Sequence, residues 1–319
     1  MEGMAIMQVT DKSKSFYKGF WQVADPKIWV ASTVPMVVGV LLSVSYAKEF
    51  RLFWMVLAFV GVYLIEIGKN AINECVDYIS GADRYVDTEH RTPFSGGKKT
   101  IVDGLLTVNQ SAWIGVVTMA LAAVIGIVFV LFREPKVIWV GLAGFFLAII
   151  YSLPPFKLCY RGFGEAVVGT TFGPLITNGM YLVMAGRFDV LPLLVSIPIG
   201  FLIANVLWIN EYPDYEADKR SGKKNGLVRI GKEKGVIVYG LIFAFAYLSV
   251  IPIVLYTRNL LWLLSWLTVP MAVGAVKNCK LHMNDIPKLV SSNDKTVKIY
   301  MLTGLLFSVS IIFHNFIRY

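Results

Sequence analysis

Seven residues in two separate stretches have the types and spacing to do chemistry together. Asn73, Asp77, Asp83 and Asp87 fall in residues 73–87, and Asn210, Asp214 and Asp218 fall in residues 210–231. Both stretches contain the pattern N-E-x-x-D, as Asn73-Glu74 with Asp77 and as Asn210-Glu211 with Asp214. On a helix, Glu66, Asn70, Asn73 and Asp77 recur every three or four residues and share one face, as do Asn210, Asp214 and Asp218. Ser80 and Gly81 interrupt the first helix, so that Asp83 and Asp87 can fold back beside Asp77. Grouped carboxylate and amide oxygens without His or Cys suit Mg²⁺ better than zinc or iron. For either cluster alone, a solvated helix end is the competing explanation. The repetition favours one shared metal site.

The elements that hold these residues must be membrane helices. The chain has 319 residues, of which 56% are hydrophobic, and a mean hydropathy of +0.63, well outside the range of a soluble domain. Taking about 20 apolar residues as one span, the sequence predicts an all-α, polytopic membrane protein of nine helices. They cover roughly residues 28–47, 52–73, 107–132, 136–154, 163–185, 190–212, 234–256, 259–276 and 297–317, in a single domain of 1–319. Residues 1–27, with Phe16, Phe20 and Trp21 among lysines, read as an interfacial segment or a tail. No cleaved signal peptide is expected.

Segments 74–106 and 210–233 read as loops carrying the acidic motifs. Most of the 30 Lys and Arg residues fall in the segments on the same side as these loops. The positive-inside rule therefore predicts a multi-pass cell-membrane protein with its amino terminus and both acidic loops in the cytoplasm. The net charge of +9 is explained by topology, and no nucleic-acid partner is expected. Cys75, Cys159 and Cys279 read as free thiols, and the three histidines have no ligand spacing.

The remaining motifs admit two readings each. Gly96 and Gly97 beside Lys98 and Lys99 suit a phosphate wrap or a solvated basic loop. Lys157 and Arg161, after the helix-ending Pro154 and Pro155, are either topology determinants or anion ligands. Two facing acidic groups with Mg²⁺ and a ring of cations make a receptor for a diphosphate, and the neutralised diphosphate becomes a leaving group. In a bilayer that diphosphate carries a lipid tail, and an isoprenyl tail ionises to an allylic cation. Tyr78, Tyr151 and Trp208 are candidates for stabilising the cation, with an interfacial aromatic belt as the alternative.

The pair NECVDYISGAD and NEYPDYEADKRSGKKNGLVRIG resembles the two aspartate-rich motifs of the UbiA superfamily of intramembrane prenyltransferases. The SGKK…LVRIG tail and the PP…YRGFGE loop are most similar to 1,4-dihydroxy-2-naphthoate prenyltransferases. The resemblance implies nine helices around a cavity open to lipid, with Mg²⁺ and prenyl diphosphate held by Asn73, Asp77, Asp83, Asn210, Asp214 and Asp218, and Asp87 in addition. Asp77 and Asp214 are the residues expected to be indispensable for catalysis. The resemblance further implies that Arg91, Lys157, Arg161 and Lys219 grip the diphosphate. The acceptor would be a small aromatic or lipid molecule, most simply a naphthoate of menaquinone synthesis. The chain departs from the pattern where Asp25-Pro26 replaces Arg-Pro, and where Asn-Glu replaces Asn-Asp in both motifs. The rival readings are another acceptor (a different quinone precursor, a glycerol phosphate or haem), cyclisation of the prenyl chain, or a cation transporter.

Overall fold

The computed structural model describes residues 15–85, 91–93 and 98–316. Among these residues the structure is helical without strands. We number the membrane helices α1 (Ser15–Ala47), α2 (Leu52–Ser80), α3 (Val108–Phe132), α4 (Val137–Ser152), α5 (Gly164–Ala185), α6 (Val190–Arg220), α7 (Lys232–Thr257), α8 (Leu260–His282) and α9 (Ile286–Ile312). Eight are long and apolar enough to cross a bilayer, and α4 is a shorter apolar helix of 16 residues. The expected nine thus correspond to eight full-length spans and one short one among the described residues.

Three helix ends differ from those expected from hydropathy. Helix α2 runs on to Ser80, where Gly81 at φ 89° closes it, a conformation that glycine adopts without steric cost. Helix α6 continues through Pro213 to Arg220. The acidic motifs are therefore the last turns of helices, as their spacing implies, and the connections begin later than the expected loops 74–106 and 210–233. Hydropathy ends a span where polar residues begin, but Glu74, Asp77, Glu211, Asp214 and Asp218 are buried. Protein neighbours, not lipid, surround them. Helix α9 likewise starts at Ile286, with Pro287 in its first turn and Asp285 capping Lys288. The segment 277–296 between the last two expected spans is instead the end of α8 joined to the start of α9 by a tight connection.

The amino-terminal segment is helical from Ser15 and exposes Phe16, Tyr17 and Trp21. It breaks at Asp25, whose φ of 41° precedes a turn of 3₁₀ helix at Pro26–Trp29. Helix α2 packs on α3, α4 and α5, while α6 packs on α5, α7 and α9, and α1 bridges the halves through α5 and α9. Gly173 of α5 lies so close to α6 that a Cβ there would stand 2.6 Å from Gly200 Cα. Small residues let membrane helices approach to backbone contact, and this contact joins the two halves.

Candidate active site at the ends of α2 and α6

The two N-E-x-x-D helices bring their acidic ends together. Lys223, just beyond α6, places its ammonium 3.5 Å from Asp77 Oδ2 and 3.5 Å from Asp218 Oδ1. Burial alone would lower the pKa of this ammonium, yet Asp218 and Asp77 hold it well above the ordinary lysine range. Gly222, at φ 78°, makes the turn that carries Lys223 back over the site. On α2, Asn73 Nδ2 donates to Asp77 Oδ2 at 2.9 Å, and Asn73 Oδ1 accepts from Ser152 Oγ at 2.7 Å.

Tyr160 completes the α2 side. Its hydroxyl donates to Asp77 Oδ1 at 2.7 Å and lies 2.7 Å from Ser80 Oγ. Burial, then the charge of Asp77, pushes this phenol far above the usual tyrosine range, so it remains a proton donor. Lys157 and Lys223 lie over its ring at 5.0 and 5.6 Å. Asp83 sits beyond Gly81, its Oδ1 3.5 Å from Lys99 Nζ. Burial, then Asp77, pushes its carboxyl up to about 7. Its Oδ2 is buried and has no hydrogen-bond partner among the described residues.

On the α6 side, Asn225 Nδ2 donates to Asp218 Oδ2 at 2.8 Å, and Asn293 of α9 donates to Asn210 Oδ1 at 2.8 Å. Asp214 is buried one turn from each. The motif glutamates serve the surroundings. Glu74 accepts the backbone N–H groups of Lys98 at 2.9 Å and Ile101 at 3.0 Å. Glu211 lies beside Glu165, whose Oε1 accepts the Gly226 N–H at 2.8 Å.

The basic residues expected at the site are placed differently. Arg91 pairs with Asp103 at 2.7 Å. Arg161 is exposed and donates to the Pro155 carbonyl at 2.9 Å. Lys219 is exposed on α6, and Lys157 reaches the site only through the Tyr160 ring. Lys223 contacts Asp77 and Asp218, and Lys99 contacts Asp83. Asp87, Gly96 and Gly97 lie outside the described residues, and Lys98 pairs with Asp25 at 2.5 Å. Of the proposed aromatic faces, Tyr78 carries Arg84 at 4.6 Å. Trp208 is a core residue bonded to the Gly235 carbonyl, and Tyr151 lines a cavity.

That cavity, of about 440 Å³, lies among α2, α3, α4 and α5. Its walls are almost wholly apolar, and its lining includes Lys69, one helical turn before Asn73. A charged pocket at the helix ends thus adjoins an apolar chamber between the helices. Among the described residues no three His, Cys, Asp or Glu side chains form a ready-made metal cluster, and Lys223 lies between two of the carboxylates. The residues nonetheless fit a hard divalent cation. Their donors are carboxylate and amide oxygens, and the buried Asp83 Oδ2 has an unused lone-pair face.

Comparison with known proteins bears on the same residues. A model of the UbiA prenyltransferase family matches residues 32–288. The chain is 25% identical over 311 residues to 1,4-dihydroxy-2-naphthoate octaprenyltransferase from Bacillus subtilis, covering 97% of each chain. It is 26% identical over 286 residues to 2-carboxy-1,4-naphthoquinone phytyltransferase from Synechocystis, covering 88% of this chain and 89% of the relative. Among solved structures, a UbiA homolog from Archaeoglobus fulgidus bound to GPP and Mg²⁺ superposes with a TM-score of 0.62 at 16% identity. That alignment covers 91% of this chain and 99% of the homolog.

Proposed function

The chain belongs to the UbiA prenyltransferase family, and from that premise we propose that it transfers a polyprenyl group from its diphosphate to a hydroxynaphthoate-type acceptor in a Mg²⁺-dependent reaction. The observation that carries this reading is the meeting of Asp77 and Asp218 around one cation, on a helix that one turn earlier lines an apolar chamber through Lys69. A transporter would need its carboxylates near the bilayer midplane, whereas these stand on the last turns of α2 and α6. The naphthoate acceptor is favoured by what the Bacillus and Synechocystis relatives are named for. The cytoplasmic orientation of the site rests on the distribution of Lys and Arg.

In this reading Asn73, Asp77, Asp83, Asn210, Asp214 and Asp218 hold Mg²⁺ and, through it, the diphosphate, with Asp87 assigned to the same set by its spacing. Mg²⁺, when bound, neutralises the diphosphate and makes it a better leaving group. Lys223 and Lys99 supply further positive charge, with Lys157, Arg161, Arg91 and Lys219 as outer contributors. Tyr160 fixes the orientation of Asp77. The bond between prenyl C1 and the diphosphate oxygen breaks, and the diphosphate leaves with the bonding electron pair. A ring carbon of the acceptor bonds to C1, and that carbon sheds the group it carried, as a proton or as CO₂, to restore the aromatic ring. The chamber holds the prenyl tail and keeps water from the allylic cation.

The deciding experiment is incubation of the purified protein with a labelled prenyl diphosphate, Mg²⁺ and a panel of acceptors. A prenylated naphthoate product, lost in Asp77→Asn and Asp214→Asn variants that remain folded, is expected. Release of diphosphate with no acceptor present would instead indicate cyclisation.

A further inference from the structure

The chamber carries two charges that the diphosphate site does not use. Glu66 and Lys69 are the charged residues in its lining. They stand one helical turn apart on α2, and Asn73 and Asp77 follow at further four-residue steps on the same face. Ionisable groups at this depth are costly unless a ligand, a partner or water satisfies them. Neither is fully satisfied by the protein. Glu66 is 4% exposed, lies beside Ser32, and has an Oε2 with no hydrogen-bond partner among the described residues. Lys69 makes no ion pair among the described residues, and its ammonium lies 5.8 Å from the centre of the Phe172 ring. The two feel each other's charge without closing into a bridge.

A chamber that only held a hydrocarbon tail would gain nothing from this pair. A cation beside a hydrogen-bond acceptor, on an apolar wall with Tyr151 and Phe172, complements a flat molecule that bears an anion beside a hydroxyl. We propose that Lys69 and Glu66 form the acceptor subsite, in which Lys69 pairs with an aryl carboxylate and Glu66 Oε2 accepts the hydrogen bond of the neighbouring hydroxyl. This assignment rests on the aromatic-acceptor reading above. Asp25, which stands where the resembling family has Arg, is engaged with Lys98, and the cation facing the chamber is supplied by α2. Lys69 stands one helical turn before Asn73 on the same face of α2, so a ring held there lies on the side of the helix that carries the first acidic motif.

The test uses the full chain in lipid nanodiscs, with 1-hydroxy-2-naphthoate and its decarboxylated counterpart 1-naphthol as probes, in binding titrations and as acceptors. The wild type should bind the naphthoate at least about 10-fold more tightly than the naphthol, as expected for a charge-assisted contact. K69M should remove that preference, weakening the naphthoate alone, and K69R should restore most of it. E66Q should weaken both probes. Unaltered binding of Mg²⁺ and a prenyl diphosphate by K69M shows that the fold is intact. Retention of the preference in K69M would overturn the subsite while leaving the aromatic-acceptor reading standing. A wild type that binds neither probe and prenylates neither would remove both.

Discussion

Asp77 on α2 and Asp218 on α6 both pair with the Lys223 ammonium, at 3.5 Å from each. The two carboxylates come from helices more than 100 residues apart in the chain, and the lysine between them belongs to the turn that ends the second helix. Buried like charges repel strongly at low dielectric. The Lys223 ammonium offsets that repulsion.

Replacing Lys223 with Met should therefore destabilise the metal-free protein far more than the metal-loaded one. Removing one partner of a buried pair costs about 3 kcal/mol, and here it exposes two carboxylates to each other. Thermal unfolding of wild type and K223M, each in a chelator and in excess Mg²⁺, measures this. The gap in Tm should be large in the chelator and should narrow with Mg²⁺. An equal gap under both conditions would mean that the cation does not enter between these carboxylates.

Tyr160 makes its own prediction. Tyr160→Phe keeps the ring beneath Lys157 and Lys223 but deletes the hydroxyl bonded to Asp77 and Ser80. A hydrogen bond to a charged group contributes about 1.5 to 3 kcal/mol. We expect kcat/KM for the prenyl diphosphate to fall by roughly 10- to 150-fold. Wild-type kinetics in the variant would reduce Tyr160 to a packing residue.

These contacts show what could be read from the chain before its structure. The helix-face spacing of Asn73 and Asp77, and of Asn210, Asp214 and Asp218, is local, and the repeated N-E-x-x-D pattern marked the two helices whose acidic ends meet at Lys223. The all-helical membrane architecture followed from hydropathy alone. The partners of the motifs were not legible, because Tyr160, Ser152 and Asn293 reach them across 79 to 83 residues and resemble ordinary loop or helix residues in sequence. Lys223 stood within the basic run 219–224, where nothing local separates it from the exposed Lys219. The helix ends were misplaced for a related reason, since hydropathy cannot distinguish a polar turn facing water from one buried against protein.

Asn293 is the clearest of these distant supports. It is buried, and its amide donates both to Asn210 Oδ1 at 2.8 Å and to the Ile209 carbonyl at 3.1 Å. Second-layer partners of metal ligands commonly contribute 10- to 100-fold in metal affinity. Asn293→Leu should weaken Mg²⁺ binding by about 10-fold, measured by titration of Mg²⁺-dependent stabilisation. An unchanged midpoint would detach Asn210 from the metal site.

Glu74 tests why the motifs carry Asn-Glu in place of Asn-Asp. An aspartate, one methylene shorter, has less reach toward the backbone of the α2–α3 connection, where Glu74 accepts from Lys98 at 2.9 Å and Ile101 at 3.0 Å. This connection also supplies Lys99 to Asp83, so the glutamate sets the position of a cation at the site without touching the site itself. Losing a charge-assisted bond of about 1.5 to 3 kcal/mol should speed local opening by roughly 10- to 150-fold. Hydrogen exchange at the Lys98 and Ile101 amides should therefore accelerate in Glu74→Ala, with α2 and α6 retaining their protection. Affinity for prenyl diphosphate should fall in parallel, while Glu74→Gln, which keeps an acceptor oxygen at the same reach, should retain most of it. Unchanged exchange at those two amides in Glu74→Ala would show that something other than this carboxylate holds the connection over the site.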